Sequence, residues 1–430
     1  MANPAIGQRH TRRGRQTGQE VALERTSVAD TSTTDAAREQ RAPELNDRQH
    51  RIRRTLESLT GVAFTEGNRV TVLRNGDRIF PAMLDAIEGA ERSVDLMTYV
   101  YWKGEIATKF ADTLSAAARR GVRVRLLIDA VGGLQIERGL VDRMDEAGVH
   151  VEWFRKPWLN SPLKQNHRCH RKVLVVDEEI AFTGGVGIAE EWCGDARTEN
   201  EWRDTHVQVR GPAVDGLRAA FAQNWAESGR DLYDDRDTFP QQQAQSGDAV
   251  AQVVRGSASL GWDDLQSTFR VMLDSATDRL SLATAYFAPD DFFLERLCAA
   301  AERGVQVDVL LPGPHADKRV CQLASEATYD RLTGCGVRVW NFQPSMMHAK
   351  IMIVDGVAAV VGSSNFNRRS LDHDEEVVLV ALNDRVAEVL QADFDADLER
   401  SEQIDLARWR NRGRRQRMLE VATKPLRRFF

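Results

Sequence analysis

The feature that most restricts what this chain can fold into is a pattern that occurs twice. His170-Arg171-Lys172 is followed by Asp177 and Gly184-Gly185-Val186-Gly187, and His348-Ala349-Lys350 by Asp355 and Gly362-Ser363-Ser364-Asn365. In each copy an apolar, β-prone run leads to the aspartate and a second apolar run follows it. This reads as a β-hairpin, with Asp355-Gly356 a good tight-turn signal. Alternation along a strand puts His348 and Lys350 on one face and Ala349 and Ile351 on the other. Folding about the turn returns residue 365 to the side of residue 348. One hairpin is thus expected to gather His348, Lys350, Ser363 and Asn365, and two hairpins to provide two such clusters.

The surroundings of the motif recur as well. Ala118-Arg-Arg-Gly-Val-Arg-Val-Arg-Leu-Leu127 matches Ala301-Glu-Arg-Gly-Val-Gln-Val-Asp-Val-Leu310, and Gly148-Val-His-Val151 matches Gly336-Val-Arg-Val339. The offsets are 183 (301 − 118), 188 (336 − 148) and, for the histidines, 178 (348 − 170). The repeat unit is therefore a whole domain and not a short solenoid element. Strand-like runs at Asn68–Leu73, Ser93–Tyr101, Val122–Asp129 and Val149–Phe154 alternate with helical segments, which predicts an α/β fold with a parallel or mixed sheet. The expected division is a tail over 1–60, a first domain over 61–235 and a linker over 236–252. A second domain then spans 253–400 and a basic segment 401–430. The tail is rich in Arg, Thr, Gln, Asp and Ala and predicts disorder, with helix only near Gln49–Leu59.

Composition narrows the function classes. At 430 residues the chain is long enough for two cores, and with 58 Lys and Arg against 64 Asp and Glu (net −6) it has no global basic field. No aromatic-interleaved basic groove appears, so no nucleic-acid partner is expected. The local exception is Arg408–Arg428, where Arg408, Arg410, Arg412, Arg414, Arg415 and Arg417 begin a run of nine basic residues against the single acid Glu420. With Trp409, Leu419, Leu426 and Phe429-Phe430 this run suits anionic lipid headgroups. The five cysteines lack C-x-x-C spacing and predict reduced thiols, neither disulfides nor a zinc site. No membrane span and no signal-peptide core is evident.

Two histidines, each two residues from a lysine, can supply a nucleophile, a proton donor and two cations that absorb negative charge, with no metal or other cofactor. The paired H-x-K-x4-D motifs resemble the phospholipase D superfamily. Leu73-Arg-Asn-Gly76, Tyr99-Val-Tyr101, Trp202-Arg-Asp-Thr205 and Ala285-Tyr-Phe-Ala-Pro-Asp290 are most similar to its cardiolipin synthase branch. The resemblance runs from about Gly67 to the end of the chain. It implies two duplicated phospholipase D-type α/β/α domains packed about a pseudo-twofold axis, with one active site between them.

The resemblance also implies roles. His170 is the nucleophile that forms a phosphohistidine and His348 the acid/base, although the symmetry of the motifs permits the reverse. Lys172 and Lys350 clamp the phosphate with Ser363 and Asn365, and Glu376 and Asp204 orient the imidazoles. Asp177 and Asp355 belong to the motif's catalytic set, but lying an odd number of residues from the histidines, at the turn, they read as hairpin anchors. Tyr101 and Tyr286 fall at equivalent strand ends, in the core or at the rim of the site, and His167, His206 and His373 read as ordinary. One departure stands out: Gly187 replaces the asparagine usual in the first motif, leaving either a vacancy in the phosphate cradle or a place for Asn166 or Asn200. The implied activity is phosphatidyl transfer between phospholipids, making cardiolipin from phosphatidylglycerol. The protein would be cytoplasmic, peripheral on the inner face of the cell membrane, with anionic phospholipid as substrate and surface. A hydrolytic phospholipase D, a nuclease of the same superfamily and a non-catalytic lipid binder are the alternatives. The sequence leaves the oligomeric state open.

Overall fold

The computed structural model describes residues 44–156, 167–231, 243–257 and 263–413. The first half supplies strands β1 (Thr65–Arg74), β2 (Ser93–Thr98), β3 (Arg123–Asp129), β4 (His150–Phe154), β5 (Val173–Val176), β6 (Ile180–Gly184) and β7 (Thr205–Arg210). The second supplies β8 (Ala249–Gly256), β9 (Arg279–Ala283), β10 (Gln306–Pro312), β11 (Arg338–Phe342), β12 (Ile351–Val354), β13 (Ala358–Gly362), β14 (Glu376–Leu382) and β15 (Ser401–Gln403). All fifteen join one mixed sheet in the order β15-β11-β10-β9-β12-β13-β14-β8-β1-β7-β6-β5-β2-β3-β4. Read outward from the β8–β1 junction the two sides repeat each other, with β15 added at one edge. The duplication in the sequence is thus a duplication in the sheet.

Three apolar clusters set the layers. Helices Gly76–Glu88, Glu105–Arg119 and Arg138–Glu146 cover one face of the first half through Ile79, Phe110, Leu114 and Leu140. Helices Asp264–Ser275 and Asp291–Glu302 cover the equivalent face of the second through Phe269, Met272 and Leu297. Between the halves lies a common core. There Val175, Val207, Phe221, Ile353, Leu379 and Phe394 form one cluster with helices Val214–Glu227 and Asp384–Leu398. Central strands are covered on both faces, which is why β2, β5, β12 and β14 are buried at every position.

Two expected boundaries shift. Residues 47–60, assigned above to the tail, form a helix that opens with a reciprocal Asn46–Gln49 capping box and buries Ile52 and Leu56 in the second-half core. Its apolar face is narrow, and only its tertiary partners reveal what it is for. Strand β8 begins at Ala249, inside the stretch 236–252 expected to be linker. Residues 1–43 and 232–242 lie outside the described residues. A third expectation is corrected: Cys298 and Cys335 are joined in a disulfide with a Cα–Cα distance of 5.4 Å, while Cys169, Cys193 and Cys321 are free. Helix Asp291–Glu302 packs beside the turn that ends helix Tyr329–Gly334, and spacing along the chain gives no sign of that.

The two motif hairpins fold as expected but in a register one residue different. Val354 pairs with Ala358 and Ile351 with Val361, just as Val176 pairs with Ile180 and Val173 with Thr183. Three residues therefore connect each pair of strands, and extrapolation places residue 348 opposite 364, not 365. Asp177 and Asp355 sit in these connections at positive φ (52° and 51°). Their carboxylates face away from the histidines, toward the other end of the sheet. Asp177 accepts from the amides of Glu91, Arg92 and Ser93 at 2.7–2.9 Å. Asp355 accepts from those of Thr277, Asp278 and Arg279 at 2.8–2.9 Å. Seven residues of strand and turn, on the order of 20 Å at ~3.3 Å each, separate them from the imidazoles. Their grouping with the catalytic residues is thus corrected to the anchoring role. Asp355→Ala is expected to cost roughly 2–4 kcal/mol of stability, read by urea denaturation. Turnover per folded molecule should stay within about twofold of wild type, and a collapse of turnover in the folded variant would contradict the anchoring role.

Candidate active site

Each histidine is placed by an exchange of strands between the halves. Just before β5 the chain forms a parallel bridge from Cys169 to Glu375, and just before β12 another from Met347 to Arg203. His170 N donates to Glu375 O at 2.9 Å and Glu375 N to Arg168 O at 2.8 Å. In the second copy His348 N donates to Arg203 O at 2.7 Å and Arg203 N to Met346 O at 2.9 Å. The residues that follow these bridges, Glu376 and Asp204, are thereby delivered to the histidine of the opposite half. His170 Nδ1 lies 2.8 Å from Glu376 Oε1, and His348 Nδ1 lies 2.7 Å from Asp204 Oδ2. Both carboxylates are fully buried. An ionised carboxylate only accepts, so Nδ1 carries the hydrogen in each ring and Nε2 keeps its lone pair.

The supports of the two carboxylates differ. Ser363 Oγ donates to Glu376 Oε2 and accepts from Val377 N at 3.1 Å. Ser363 therefore serves His170 through Glu376, and does not join its own hairpin's histidine as the simple hairpin reading expected. In the first half the matching residue is Gly185, where an added Cβ would fall 2.3 Å from Asp204 Oδ1. Asp204 is held there instead by Trp192 Nε1 at 2.9 Å and by the Thr205 amide at 2.8 Å. Asn365 is buried, its side-chain oxygen accepting from Tyr286 N at 3.3 Å.

The lysines lie deep beside the imidazoles. Lys172 Nζ donates to His170 O at 2.8 Å and stands 5.6 Å from the Tyr99 ring centre. Lys350 Nζ lies 2.8 Å from His348 Nδ1 and 3.1 Å from Nε2. Burial pushes Lys172 down to about 8 and Lys350 to about 7, against the pull of Glu376 and Asp204. Burial likewise lowers His170 to about 4; Glu376 opposes this and Lys172 adds to it. For His348 burial and then Lys350 lower the value to about 3, against Asp204. Burial alone would raise Asp204 and Glu376, but their histidine and lysine neighbours bring both below the ordinary carboxylate range. At neutral pH the site therefore holds two neutral imidazoles with lone pairs available, two carboxylates and two lysines close to their titration points.

Sequence reasoning missed the aromatic walls. The Tyr99 ring centre lies 5.2 Å from that of His170, and Trp192 and Trp202 stand 5.1 and 5.3 Å from His348. Tyr99 immediately follows β2, a position that could have marked it. Tyr101 instead is fully buried, its hydroxyl donating to Ala107 O at 2.9 Å. The residue equivalent to Tyr286 is Val100, because Thr98 Oγ1 donates to Val100 O as Thr284 Oγ1 does to Tyr286 O. The expected equivalence of Tyr101 and Tyr286 is off by one residue. Arg171, which matches Ala349, was also missed. It is wholly buried and ties Glu376 O, Gly256 O and Glu375 of the second half to Asn224 of the first.

The membrane-contact expectation changes too. Arg412 is mostly buried against Trp409 and pairs with Asp330 at 3.1 Å. Arg408 and Arg410 are exposed, at 82% and 62% of their side chains. However, β15 runs antiparallel to β11 and carries them to the end of the sheet opposite the histidines. Arg414, Arg415 and Arg417 lie outside the described residues, as does Asn166. Gly187 proves not to be a vacancy: an added Cβ would stand 2.7 Å from Val100 Cβ and 3.3 Å from the Trp192 ring. Gly187→Asn is therefore expected to lower stability by about 1–3 kcal/mol and to leave turnover unchanged or reduced. Thermal denaturation and initial rates measure both, and a stable, faster variant would restore the vacancy.

The comparisons with known proteins point to one family. A family model described as "Cardiolipin synthase, PLD-like domain" matches residues 83–225 and 269–398. Cardiolipin synthase 1 of Bacillus cereus is 31% identical over 386 residues, 87% of this chain and 75% of the relative. Cardiolipin synthase of Alkalihalophilus pseudofirmus is 32% identical over 359 residues, 83% and 71% of the two chains. Among solved structures, phosphatidylserine synthase of Haemophilus influenzae aligns with a TM-score of 0.62 at 13% identity, covering 88% of this chain and all of that one, which is a likeness of fold. With a duplicated domain, a matching family model over both copies and relatives aligned along most of their length, the chain belongs to the cardiolipin synthase family of PLD-like proteins.

Proposed function

We propose that the protein is a phospholipase D-type phosphatidyltransferase that makes cardiolipin from phosphatidylglycerol through a phosphohistidine. The observation that carries this reading is the pair of imidazoles, each with Nδ1 fixed on a buried carboxylate of the other half and Nε2 left with its lone pair. His170, whose side chain is 13% exposed against 6% for His348, is the nucleophile in this scheme. Its Nε2 attacks phosphorus, the bond from phosphorus to the glycerol oxygen breaks, and His348 Nε2 gives that oxygen its proton. The hydroxyl of a second phosphatidylglycerol then returns a proton to His348 as its oxygen displaces His170. Lys172 and Lys350, with the Asn365 amide, bear the charge on the phosphoryl oxygens. His348 is neutral in the empty site, so the negative charge of the phosphodiester is what brings its proton. Glu376 and Asp204 hold ring orientation and stabilise each imidazolium as it forms.

The setting we propose is peripheral, on the cytoplasmic face of the membrane. Among the described residues no helix is long and apolar enough to cross a bilayer. The Cys298–Cys335 disulfide counts against the cytoplasmic part of that setting, since disulfides are rare in reducing compartments.

Purified protein with phosphatidylglycerol vesicles should yield cardiolipin and glycerol; phosphatidic acid alone would make it a hydrolase, and no product would sink the reading. His170→Ala and His348→Ala should each lower the rate by at least ~10³-fold. Labelled phosphatidyl should accumulate on His170 in His348→Ala, and label on His348 in His170→Ala would reverse the roles. The pH dependence follows from the same site. His170 must be neutral, and its value near 4 keeps it so well below the ordinary 6.5, so the acid limb of kcat/KM should lie below pH 6.5. The lysines must be charged, and His348, neutral in the free enzyme, must take up its proton with the substrate, so the alkaline limb should lie no higher than about 7 to 8, where the lysines discharge. An acid limb at or above 6.5 would contradict the buried, neutral nucleophile.

A further inference from the structure

The pseudo-twofold axis relates two loops whose chemistry is opposite. Asp177 N bonds to Ser93 O as Asp355 N does to Arg279 O, so Ser93 and Arg279 are equivalent. Ser93 pairs with Arg123 and Arg279 with Gln306, so the loop after β3 corresponds to the loop after β10. These loops are Ala130–Glu137 and Gly313–Lys318. Both loops leave the sheet at the end where the histidines stand, because β5 and β12 start opposite the last residues of β2 and β9.

The loop after β10 is polar. Tyr286 donates its hydroxyl to Asp317 at 2.6 Å, and Lys318 Nζ lies 4.9 Å from the Tyr286 ring centre. The loop after β3 presents Val131 at 40% and Leu134 at 70% exposure, two of the five large hydrophobic residues exposed among those described. It is not loose. Asp129 Oδ1 accepts from the amides of Val131 and Gly132 at 2.9 and 3.1 Å, and Trp102 Nε1 donates to Gly132 O at 2.9 Å. Gly132 lies so close to Tyr99 that a Cβ there would come within 2.1 Å of its carbonyl oxygen. The Tyr99 ring in turn packs on His170. A fixed loop thus holds two aliphatic side chains in water, two contacts away from the catalytic imidazole.

We propose that the loop Ala130–Glu137 is the edge of the protein that enters a lipid bilayer, with Leu134 and Val131 as the inserted side chains. This rests on the phosphatidyl-transfer reading, which requires the cleft to meet lipid held in a membrane. An inserted Leu134 brings the rim of the cleft to the headgroup layer on the His170 side, and the Lys318 loop on the other side faces the anionic headgroups. Isolated exposed aliphatic residues are ordinary on protein surfaces. This pair differs in being rigidly supported, adjacent to the site and absent from the symmetry-related loop.

The test separates insertion from turnover. Vesicles of phosphatidylglycerol are sedimented with the protein in about 0.5 M salt, where charge attraction is screened within a few Å and apolar insertion is what remains. Leu134→Asp should weaken binding at least ~10-fold, as expected from losing the transfer of one leucine out of water, while Leu134→Met keeps it. Turnover of a short-chain phosphatidylglycerol below its micellar concentration should be equal in wild type and Leu134→Asp. Unaltered vesicle binding by Leu134→Asp would overturn the proposal. So would equal loss of short-chain turnover and binding, since the loop would then act by supporting the site. A wild type that binds vesicles through Leu134 but turns over no phosphatidylglycerol would refute the function proposed above and leave this surface standing.

Discussion

Four charges buried in the seam between the halves govern the rest of the structure. Lys172 and Lys350 are 3% and 4% exposed, and Asp204 and Glu376 are fully buried. An isolated charge in such a place is strongly unfavourable, and removing one partner of a buried pair typically costs about 3–5 kcal/mol. The arrangement is tolerable because it is balanced across the seam, with Glu376 of the second half offsetting Lys172 of the first and Asp204 of the first offsetting Lys350 of the second. The Cys169–Glu375 and Met347–Arg203 bridges hold the balance in register. Arg171, reaching from the first half to Glu375 and Gly256 of the second, reinforces the same joint.

Duplication made the site, and departures from symmetry make it work as a chemical device. A strictly symmetric pair of imidazoles would have equal proton affinities and no preferred nucleophile. Here Glu376 is supported by a serine hydroxyl and Asp204 by an indole. His170 packs against a phenol ring and His348 against two indoles that also touch each other. Gly187 belongs to the same divergence. A Cβ at Gly187 would meet Val100 Cβ at 2.7 Å and the Trp192 ring at 3.3 Å, so Val100 first, and the indole that secures Asp204 second, occupy the space a larger residue would need.

Much of this was legible in the sequence. The repeated His-x-Lys, with matching strands around it, carried the duplication, the hairpins and the aspartate turns, because these are local and periodic. The crossing of the carboxylates was not legible. Asp204 and His348 are 144 residues apart and His170 and Glu376 are 206 apart, and no local pattern says which histidine a carboxylate will reach. The one-residue error in hairpin register has a smaller cause: the turn dipeptide suggests a two-residue connection, whereas the strands are joined by three. Helix Asp47–Thr60 was undervalued because its charged face dominates its composition. The role of Ile52 and Leu56 exists only against the second-half core.

The same geometry explains why the active site cannot be separated from the fold. A first half alone would keep His170 and Lys172 but lose Glu376, and with it both the orientation of the ring and the charge that offsets the lysine. It would also expose its side of the common core at Val175, Val207 and Phe221. Since Glu376 O accepts from Arg171 and Glu375 O from His170 N, even the backbone at the histidine is completed by the second half. Residues that bind the halves together are therefore one step from the paired imidazoles and lysines. Selection for a stable seam and selection for a working site act on the same few side chains, which leaves little freedom to alter one without the other.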